Sequence, residues 1–267
     1  MARTLKSTGV ASQVTMLIAV DDDNTTIKDF GPNSVAVTNS GITVTTSKTW
    51  KSTTLPMMTF TAGNYLQFGS ATPHIVSPAC IFIVIKDTNA ADAQIWLEGS
   101  LTAAGAVDTT AAPFGIFGSN PSPVIRDQAT GNLVALPSVT LANGDDWSCY
   151  FNSDTAWPNH TYFSLEANSV GSTGTAPNFD WNPGGTVFTL SGYAKRLGAS
   201  GSPTLIGDVI AFGVLSGLIS QSDAAAIHSD PFGTLFTSGS GPVTVAASGS
   251  ASTGGIGTQA PGISIGL

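Results

Sequence analysis

The fold is decided by one stretch of the chain, IGDVIAFGVLSGLISQSDAAAIHSDPFGTLF, which spans residues 206–236. In its first part, residues 208–215, the side chains alternate in character at first and are then continuously apolar up to Leu215. This pattern is typical of a buried strand. Ser220 can cap a helix, Asp223 suits the positive end of the helix dipole, and the alanines that follow favour helix. Because Pro231 ends the helix, the stretch predicts a strand followed by one short helix.

The rest of the chain has the composition of an all-β protein. Only 10% of its 267 residues are charged and 30 are glycine, while Thr, Val, Ile, Gly and Asn dominate, which favours strands and tight turns. Short apolar or alternating segments recur between turn signals. The clearest are residues 14–20, 64–68, 79–86, 147–151 and 161–167. These patterns predict an all-β sandwich in which residues 79–86, apolar on both faces, form a central strand.

Charge and hydropathy argue against two properties, the binding of nucleic acid and a membrane span. The net charge is -8 and the sequence pI is about 4.5, so no basic stripe is available to neutralise phosphates, and we expect no nucleic acid partner. No run of 18 apolar residues occurs, so we expect no membrane span. The first residues lack the apolar stretch of a signal peptide, which predicts synthesis in a cytoplasm.

Three segments resemble a known family when they are taken in order. They are PMMTFTAGNYLQF (residues 56–68), SPACIFIVIK (residues 77–86) and the stretch from residue 206. Together they resemble the concanavalin A-like, laminin-G-like jelly-roll modules. The ending HSDPFGTLF (residues 228–236) resembles the form found in virion proteins of tailed phages. The resemblance covers roughly residues 13–236 and implies a jelly-roll β-sandwich with one short helix near its C-terminal end.

The chain divides into a sandwich domain and two extended arms. We expect an N-terminal arm over residues 1–12, the jelly roll over residues 13–236, and a Gly/Ser/Thr-rich arm over residues 237–267. The last segment has no charged or aromatic residue and cannot fold alone. Its alternating apolar residues could add to a sheet edge of a neighbouring subunit, with a disordered tail as the alternative. Those apolar residues are Val243, Val245, Ile263, Ile265 and Leu267.

The resemblance and the arms together predict a structural protein. We expect a non-enzymatic subunit of a tailed-phage virion, either a capsid decoration (cement) protein or a fibre-type protein, on the virion surface. Its partners would be further copies of itself, with a trimer as the expected state, and other virion proteins such as the major capsid protein.

Carbohydrate recognition is the alternative function, with a host-surface glycan as the ligand. Sugar sites combine aromatic faces with planar polar groups, and two neighbouring segments supply both. The candidate residues are Trp157, Asn159, His160, Tyr162, Asp180 and Trp181. The competing interpretation is that these aromatics fill the sandwich or cover its edge.

Catalysis is not supported by the residues. Glu98 and Glu166 are the only glutamates and neither lies in the paired-carboxylate pattern that glycoside hydrolysis needs. His228 at a helix C-terminus is explained by the helix dipole, and no nucleophile elbow or zinc-ligand spacing occurs. At Gly213 and Val214 the chain departs from the acidic residue common in the family, which weakens a metal site there. We predict no catalytic residue.

Two further features leave alternatives open. Asp21, Asp22 and Asp23 could bind calcium through oxygen ligands, or form a solvated turn without the EF-hand spacing; we otherwise expect no cofactor. Cys80 and Cys149 each lie in an apolar segment and are expected to be buried free thiols, with a disulfide as the alternative.

Overall fold

The structure is a computed structural model whose strands are short and whose helices lie near the C-terminal end of the sandwich. It describes residues 3–69, 75–76, 78–86, 94–99, 115–119, 122–126, 133–135, 146–153, 161–164, 169–171, 180–181, 188–190 and 205–237. In chain order the strands are β1 (Val14–Val20), β2 (Ile27–Asp29), β3 (Val37–Ser40), β4 (Thr43–Thr45), β5 (Thr49–Trp50), β6 (Thr53–Thr54), β7 (Met57–Phe60), β8 (Tyr65–Phe68), β9 (Ile75–Val76), β10 (Ala79–Lys86), β11 (Gln94–Gly99), β12 (Gly115–Ser119), β13 (Ser122–Arg126), β14 (Leu133–Ala135), β15 (Trp147–Ser153), β16 (Thr161–Ser164), β17 (Ser169–Gly171), β18 (Asp180–Trp181), β19 (Phe188–Leu190) and β20 (Gly207–Leu215). The helices are α1 (Gln221–Ser229) and α2 (Pro231–Leu235), with a 3-10 helix over Gly9–Gln13.

Two large antiparallel sheets form the sandwich. The nine-stranded sheet has the order β17-β16-β15-β10-β20-β1-β2, and β7 joins it beside β20 with β4 on its outer side. The seven-stranded sheet has the order β14-β13-β12-β11-β19-β8-β3. The predicted all-β sandwich is therefore confirmed.

Strand β20 lies at the centre of the nine-stranded sheet. It pairs along its length with β10. On its other side it pairs first with β7, from Gly207 to Val209, and then with β1, from Ala211 to Leu215. All nine of its residues are buried. Strand β10 lies between β15 and β20, so the predicted central position of residues 79–86 is confirmed.

The inner face of the nine-stranded sheet packs against the seven-stranded sheet. Alternate residues of the strands point inward, as the period of two requires. Ile81 and Phe212 of the large sheet are among these inward residues. Leu66 and Phe68 of the second sheet face the same core, as their alternation predicts. Trp147, Cys149 and Phe151 also face this core together, as expected.

The outer face of the same sheet carries a second apolar cluster. Leu17, Phe82 and Tyr150 lie on the sheet side of this cluster. The residues that cover them come from the 3-10 helix, from the hairpin of β5 and β6, and from both α-helices. They include Val10, Trp50, Ile227, Phe232 and Phe236. Because both faces of the sheet are buried, its middle strands read as nearly continuous apolar runs.

The predicted helix is present, and a second short helix follows it. The Ser220 side chain caps α1 by accepting from the Asp223 N–H at 3.1 Å, as expected. The sequence predicted only a stop at Pro231. Instead Pro231 occupies the first turn of α2, where its missing N–H has no helical partner to lose. The Asp230 carboxylate accepts from the Gly233 N–H at 2.8 Å and caps this helix. Neither α-helix in the described part of the chain has the length and apolar character that a transmembrane helix needs.

Residues 3–12, the described part of the arm expected over residues 1–12, lie against the outer face. Leu5 forms an antiparallel bridge with Phe236, and the Lys6 N–H donates to the Leu235 carbonyl at 3.0 Å. The Arg3 guanidinium lies 4.2 Å from the centre of the Phe232 ring. Burial lowers the pKa of Arg3, while nearby Asp21 and Asp22 oppose that shift. The two ends of the described sandwich are thus joined beside the helices.

We expect Gly213→Ala to destabilise the protein by about 1–3 kcal/mol. Phe82 is the cross-strand partner of Gly213, and a Cβ at Gly213 would lie 2.4 Å from the Phe82 Cε1 atom. Denaturant unfolding measures the change. Gly217→Ala is the matched control, because its Cβ would meet only the Gln13 side-chain end at 3.0 Å. The double variant with Phe82→Leu should lose less free energy of unfolding than the two single variants lose together. Strict additivity of the two losses would contradict the proposed clash.

Candidate functional site

The described members of the predicted sugar-binding set belong to two different sheets. Trp157, Asn159 and His160 lie outside the described residues. Tyr162 is in β16, where its Cα partner is Tyr150 of β15. Asp180 and Trp181 form β18, which pairs with β9 in a two-stranded sheet. Among the described residues the set is therefore divided between the large sheet and a small one, and its role in binding stays a prediction.

The faces of the large sheet leave little room for a ligand. Its inner face is filled by the core between the sheets, and its outer face is covered by the helices, the hairpin and the N-terminal segment. Leu218 is the exposed large hydrophobic residue of the described chain, at 36%. The central strands β1, β10, β15 and β20 are therefore covered on both faces.

His228 has a structural environment. Its Nδ1 lies 2.8 Å from the Ser148 hydroxyl oxygen, and its backbone carbonyl accepts from the Trp50 indole N–H at 2.6 Å. Ser148 and His228 are both buried. These contacts join α1 to β15 and to the β5–β6 hairpin. The sequence predicted only the favourable helix-end position of this histidine.

Asp29 is a buried carboxylate that organises the chain after β2. Its Oδ1 accepts from the N–H groups of Leu17 and Gly31, and its Oδ2 accepts from the Val35 N–H, all at 2.8 Å. Hydrogen bonds from backbone donors offset the desolvation of such a group. The bond from Leu17 could not be read from the sequence, because Leu17 lies in another strand, 12 residues before Asp29.

The acidic run forms a hydrogen-bonded turn. Asp23 accepts from the Thr26 hydroxyl and from the N–H groups of Thr26 and Thr25, and these bonds lower its pKa. Burial opposes the ionisation of Asp21, but its hydrogen bonds from Lys28 and Asp22 outweigh burial and lower its pKa. No group of three or more metal-ligating side chains occurs among the described residues. Calcium binding, the alternative to a solvated turn, stays untested.

The two cysteines are buried free thiols, as predicted. Cys80 belongs to the outer cluster and Cys149 to the inner core, so they face opposite sides of the sheet. Burial raises the pKa of both thiols.

Asp208 is a polar residue whose surroundings the sequence did not reveal. It lies in the apolar strand β20 yet is 1% exposed. Its two carboxylate oxygens accept from the Thr59 hydroxyl at 2.6 Å and from the Lys48 ammonium. The available signal was its position, because an acid inside an apolar strand needs a buried partner.

Comparison with known proteins gives a fold and no family. No family model matches the chain, and no curated protein matches it. The chain resembles the binding domain of botulinum neurotoxin DC in complex with SialylT, with a TM-score of 0.54 and 6% identity. That match covers 82% of this chain and 51% of the other, so the chain spans about half the toxin domain's length.

Two further solved structures are similar. One is domain 4 of an extracellular arabinanase from Geobacillus stearothermophilus in complex with arabinotriose, with a TM-score of 0.51 and 10% identity over 85% of this chain and 100% of the other. The other is an arabinofuranosidase complexed with arabinofuranosyl-alpha-1,2-xylobiose, with a TM-score of 0.52 and 13% identity over 88% of this chain and 62% of the other. At these identities the similarity establishes the β-sandwich fold.

We expect neither thiol to react in the folded protein. The thiolate is the reactive form, and burial disfavours it at both positions. A chromogenic thiol reagent at pH 8 should label native protein negligibly and should find both thiols after denaturation. Ser47→Cys, at an exposed position, is the positive control and should react at once. Rapid labelling of the native chain, or a denatured chain without free thiols, would contradict the structure.

Proposed function

We propose that the chain is a non-catalytic carbohydrate-binding β-sandwich. The observation that carries this proposal is the shared fold: three structures with TM-scores of 0.54, 0.51 and 0.52 were each determined with a ligand, and two of those ligands are named oligosaccharides. A shared fold supports a function by analogy only, so residues of this chain must supply the recognition.

Those residues are available from the sequence. Trp157, Tyr162 and Trp181 offer aromatic faces to a sugar ring, and Asn159 and Asp180 offer planar polar groups. Tyr162 lies in β16, one strand from the β17 edge of the large sheet, and Trp181 lies in a separate two-stranded sheet. A ligand at the β17 side of the large sheet would avoid the covered central strands.

We expect Trp181→Ala and Trp157→Ala each to weaken glycan binding about tenfold or more, as for aromatic anchors at other interfaces. Trp181→Phe is the control, because it keeps an aromatic face and should retain most of the affinity. A glycan array followed by titration calorimetry measures the effect. A blank array, or unchanged binding in both alanine variants, would reject this site.

A role in a tailed-phage virion is the second proposal. It is supported by the resemblance of the ending at residues 228–236 to the form found in tailed-phage virion proteins and by the uncharged segment after Phe236. In this proposal the sandwich is the body of a capsid decoration or fibre-type subunit, and the final segment binds neighbouring copies, in a trimer, or the major capsid protein. A receptor-binding role at the virion surface would join the two proposals.

A chain truncated after Thr237 should stay folded but lose attachment to particles. Thr237 is the last described residue, and its N–H donates to the Thr4 carbonyl at 3.0 Å, so the cut leaves the described contacts intact. Thermal unfolding checks the fold, and cosedimentation with particles checks attachment. A substitution of Val243 and Val245 by serine in the full chain should give a partial loss. Attachment that survives the truncation would reject the arm as the assembly element.

A further inference from the structure

One side of the sandwich is formed by three edge strands whose apolar residues are only partly covered. In the described chain, β2 and β4 are edge strands of the nine-stranded sheet, and β3 is an edge strand of the seven-stranded sheet. The partly buried apolar residues that pack against the core between the sheets lie one on each of these strands, and they are Ile27, Val37 and Val44. We name the side formed by β2, β3 and β4 the open rim.

Contacts among the three strands place them beside one another. Asp29, the last residue of β2, accepts from the Val35 N–H at 2.8 Å, just before β3 begins. The Asn39 side chain of β3 bonds both backbone groups of Ile42, next to β4, at 2.8 Å. Strand β2 continues the large sheet beyond β1, and β4 continues it beyond β7, both on the side of β20 that faces away from β10. The rim therefore joins edges of both sheets on one side of the sandwich.

Strand β4 has an open backbone edge without the usual protection. Among the described strands it pairs only with β7. In an antiparallel pair, every second residue directs its N–H and C=O groups to the partner, and the others direct theirs away. Natural edge strands are often protected by charged side chains, yet no charged residue occurs between Asp29 and Lys48. Strand β2, in contrast, carries Lys28, whose ammonium pairs with Asp21. The uncharged edge of β4 is suited to accept a further strand.

The two faces of β4 differ in chemistry. Val44 packs against the core between the sheets, so its neighbours Thr43 and Thr45 lie on the other face. The Thr45 hydroxyl lies 2.6 Å from the Thr59 hydroxyl on the adjacent strand. Thr43 is exposed, and Val44 and Thr45 are half-buried. A strand that continued the sheet beyond β4 would need an apolar side chain beside Val44 and small residues beside the threonines.

The final segment of the chain contains a run with that pattern. Residues 263–267 read ISIGL, in which three large apolar residues alternate with Ser264 and Gly266. When Ile265 is opposite Val44, the two small residues are opposite the two threonines, in either strand direction. Cross-strand pairs of β-branched residues, and of threonine with serine, stabilise a sheet. The run therefore complements β4 on both faces.

The described chain ends near the open rim. The Phe236 ring packs edge-on against the Phe30 ring, with 4.9 Å between their centres, and Phe30 directly follows β2. Residues 238–262 separate the last described residue, Thr237, from the run. A flexible Gly/Ser-rich linker of about 25 residues spans roughly 25–30 Å. That length is sufficient to bring the run to the rim of an adjacent copy.

We propose that β4 accepts residues 263–267 of a neighbouring copy as an additional strand at the open rim. This inference rests on the proposed assembly role of the final segment, and it names the surface that receives it. The added strand would extend the large sheet and cover Val44. Each copy would donate one run and accept another, and such a head-to-tail contact forms a ring when the rotation closes, as in the expected trimer.

Disulfide trapping tests the contact between copies. One full chain carries Val44→Cys, and a second chain with a different tag carries Ile265→Cys. Ile256→Cys is the control, because Ile256 is an isolated apolar residue of the same segment. The native cysteines are buried and free, so they do not compete. After mixing and oxidation, we expect covalent dimers of the two chains, with at least tenfold fewer in the control.

Sedimentation of the full chain measures self-association independently. Thr43→Lys places a charge on the open edge, whereas Thr54→Lys is the matched control at an exposed threonine of β6. A third variant replaces the apolar residues of the run by serine. We expect Thr43→Lys and the serine variant each to weaken association at least tenfold, with the control unchanged. Thermal unfolding checks that every variant is folded.

The other outcomes separate this inference from the assembly role. A disulfide that forms only within a chain carrying both Val44→Cys and Ile265→Cys would overturn a neighbouring donor. Oligomers that persist in Thr43→Lys and in the serine variant would overturn the rim contact. A monomer that still needs its final segment for particle attachment would also overturn the contact and leave the assembly role standing. Attachment that survives removal of the segment would overturn both.

Discussion

Burial of β20 on both of its faces is the constraint on which the rest of the structure depends. All nine of its residues are buried, and no single layer can cover two faces of a sheet. The seven-stranded sheet covers one face. The other face would expose a large apolar surface without α1, α2, the β5–β6 hairpin and the N-terminal segment, because apolar area left in water costs free energy in proportion to its size.

That double cover also limits where recognition can occur. The outer layer is fixed by contacts between distant parts of the chain: the Trp50 indole bonds the His228 carbonyl, and Leu5 bridges Phe236. Where this layer stops, polar groups take over the same face of the sheet, with Asp208 at the centre of the change. The proposed glycan binding and the proposed structural role would both have to use surface that this cover leaves free.

The sequence predicted the elements whose signals are local. The strand at residues 79–86, the alternation of Leu66 and Phe68 and the Ser220 cap all appear as expected, because each depends on neighbours within a few residues. The second helix was missed because Pro231 both ends one helix and starts another. The sugar-binding set could be proposed from residue types but not located as a site, since its described members belong to different sheets.

The sequence by itself determined that the chain forms an all-β sandwich with buried central strands, since alternation and composition specify which residues leave water. The tertiary structure decided which surface covers each face and which polar groups meet. Lys48 and Asp208 are 160 residues apart, and Ser148 and His228 are 80 apart. A period of two divides a strand into two faces but carries no information about the partner of either face. For that physical reason the partners of Asp208 and His228 became visible only when the strands and helices were placed side by side.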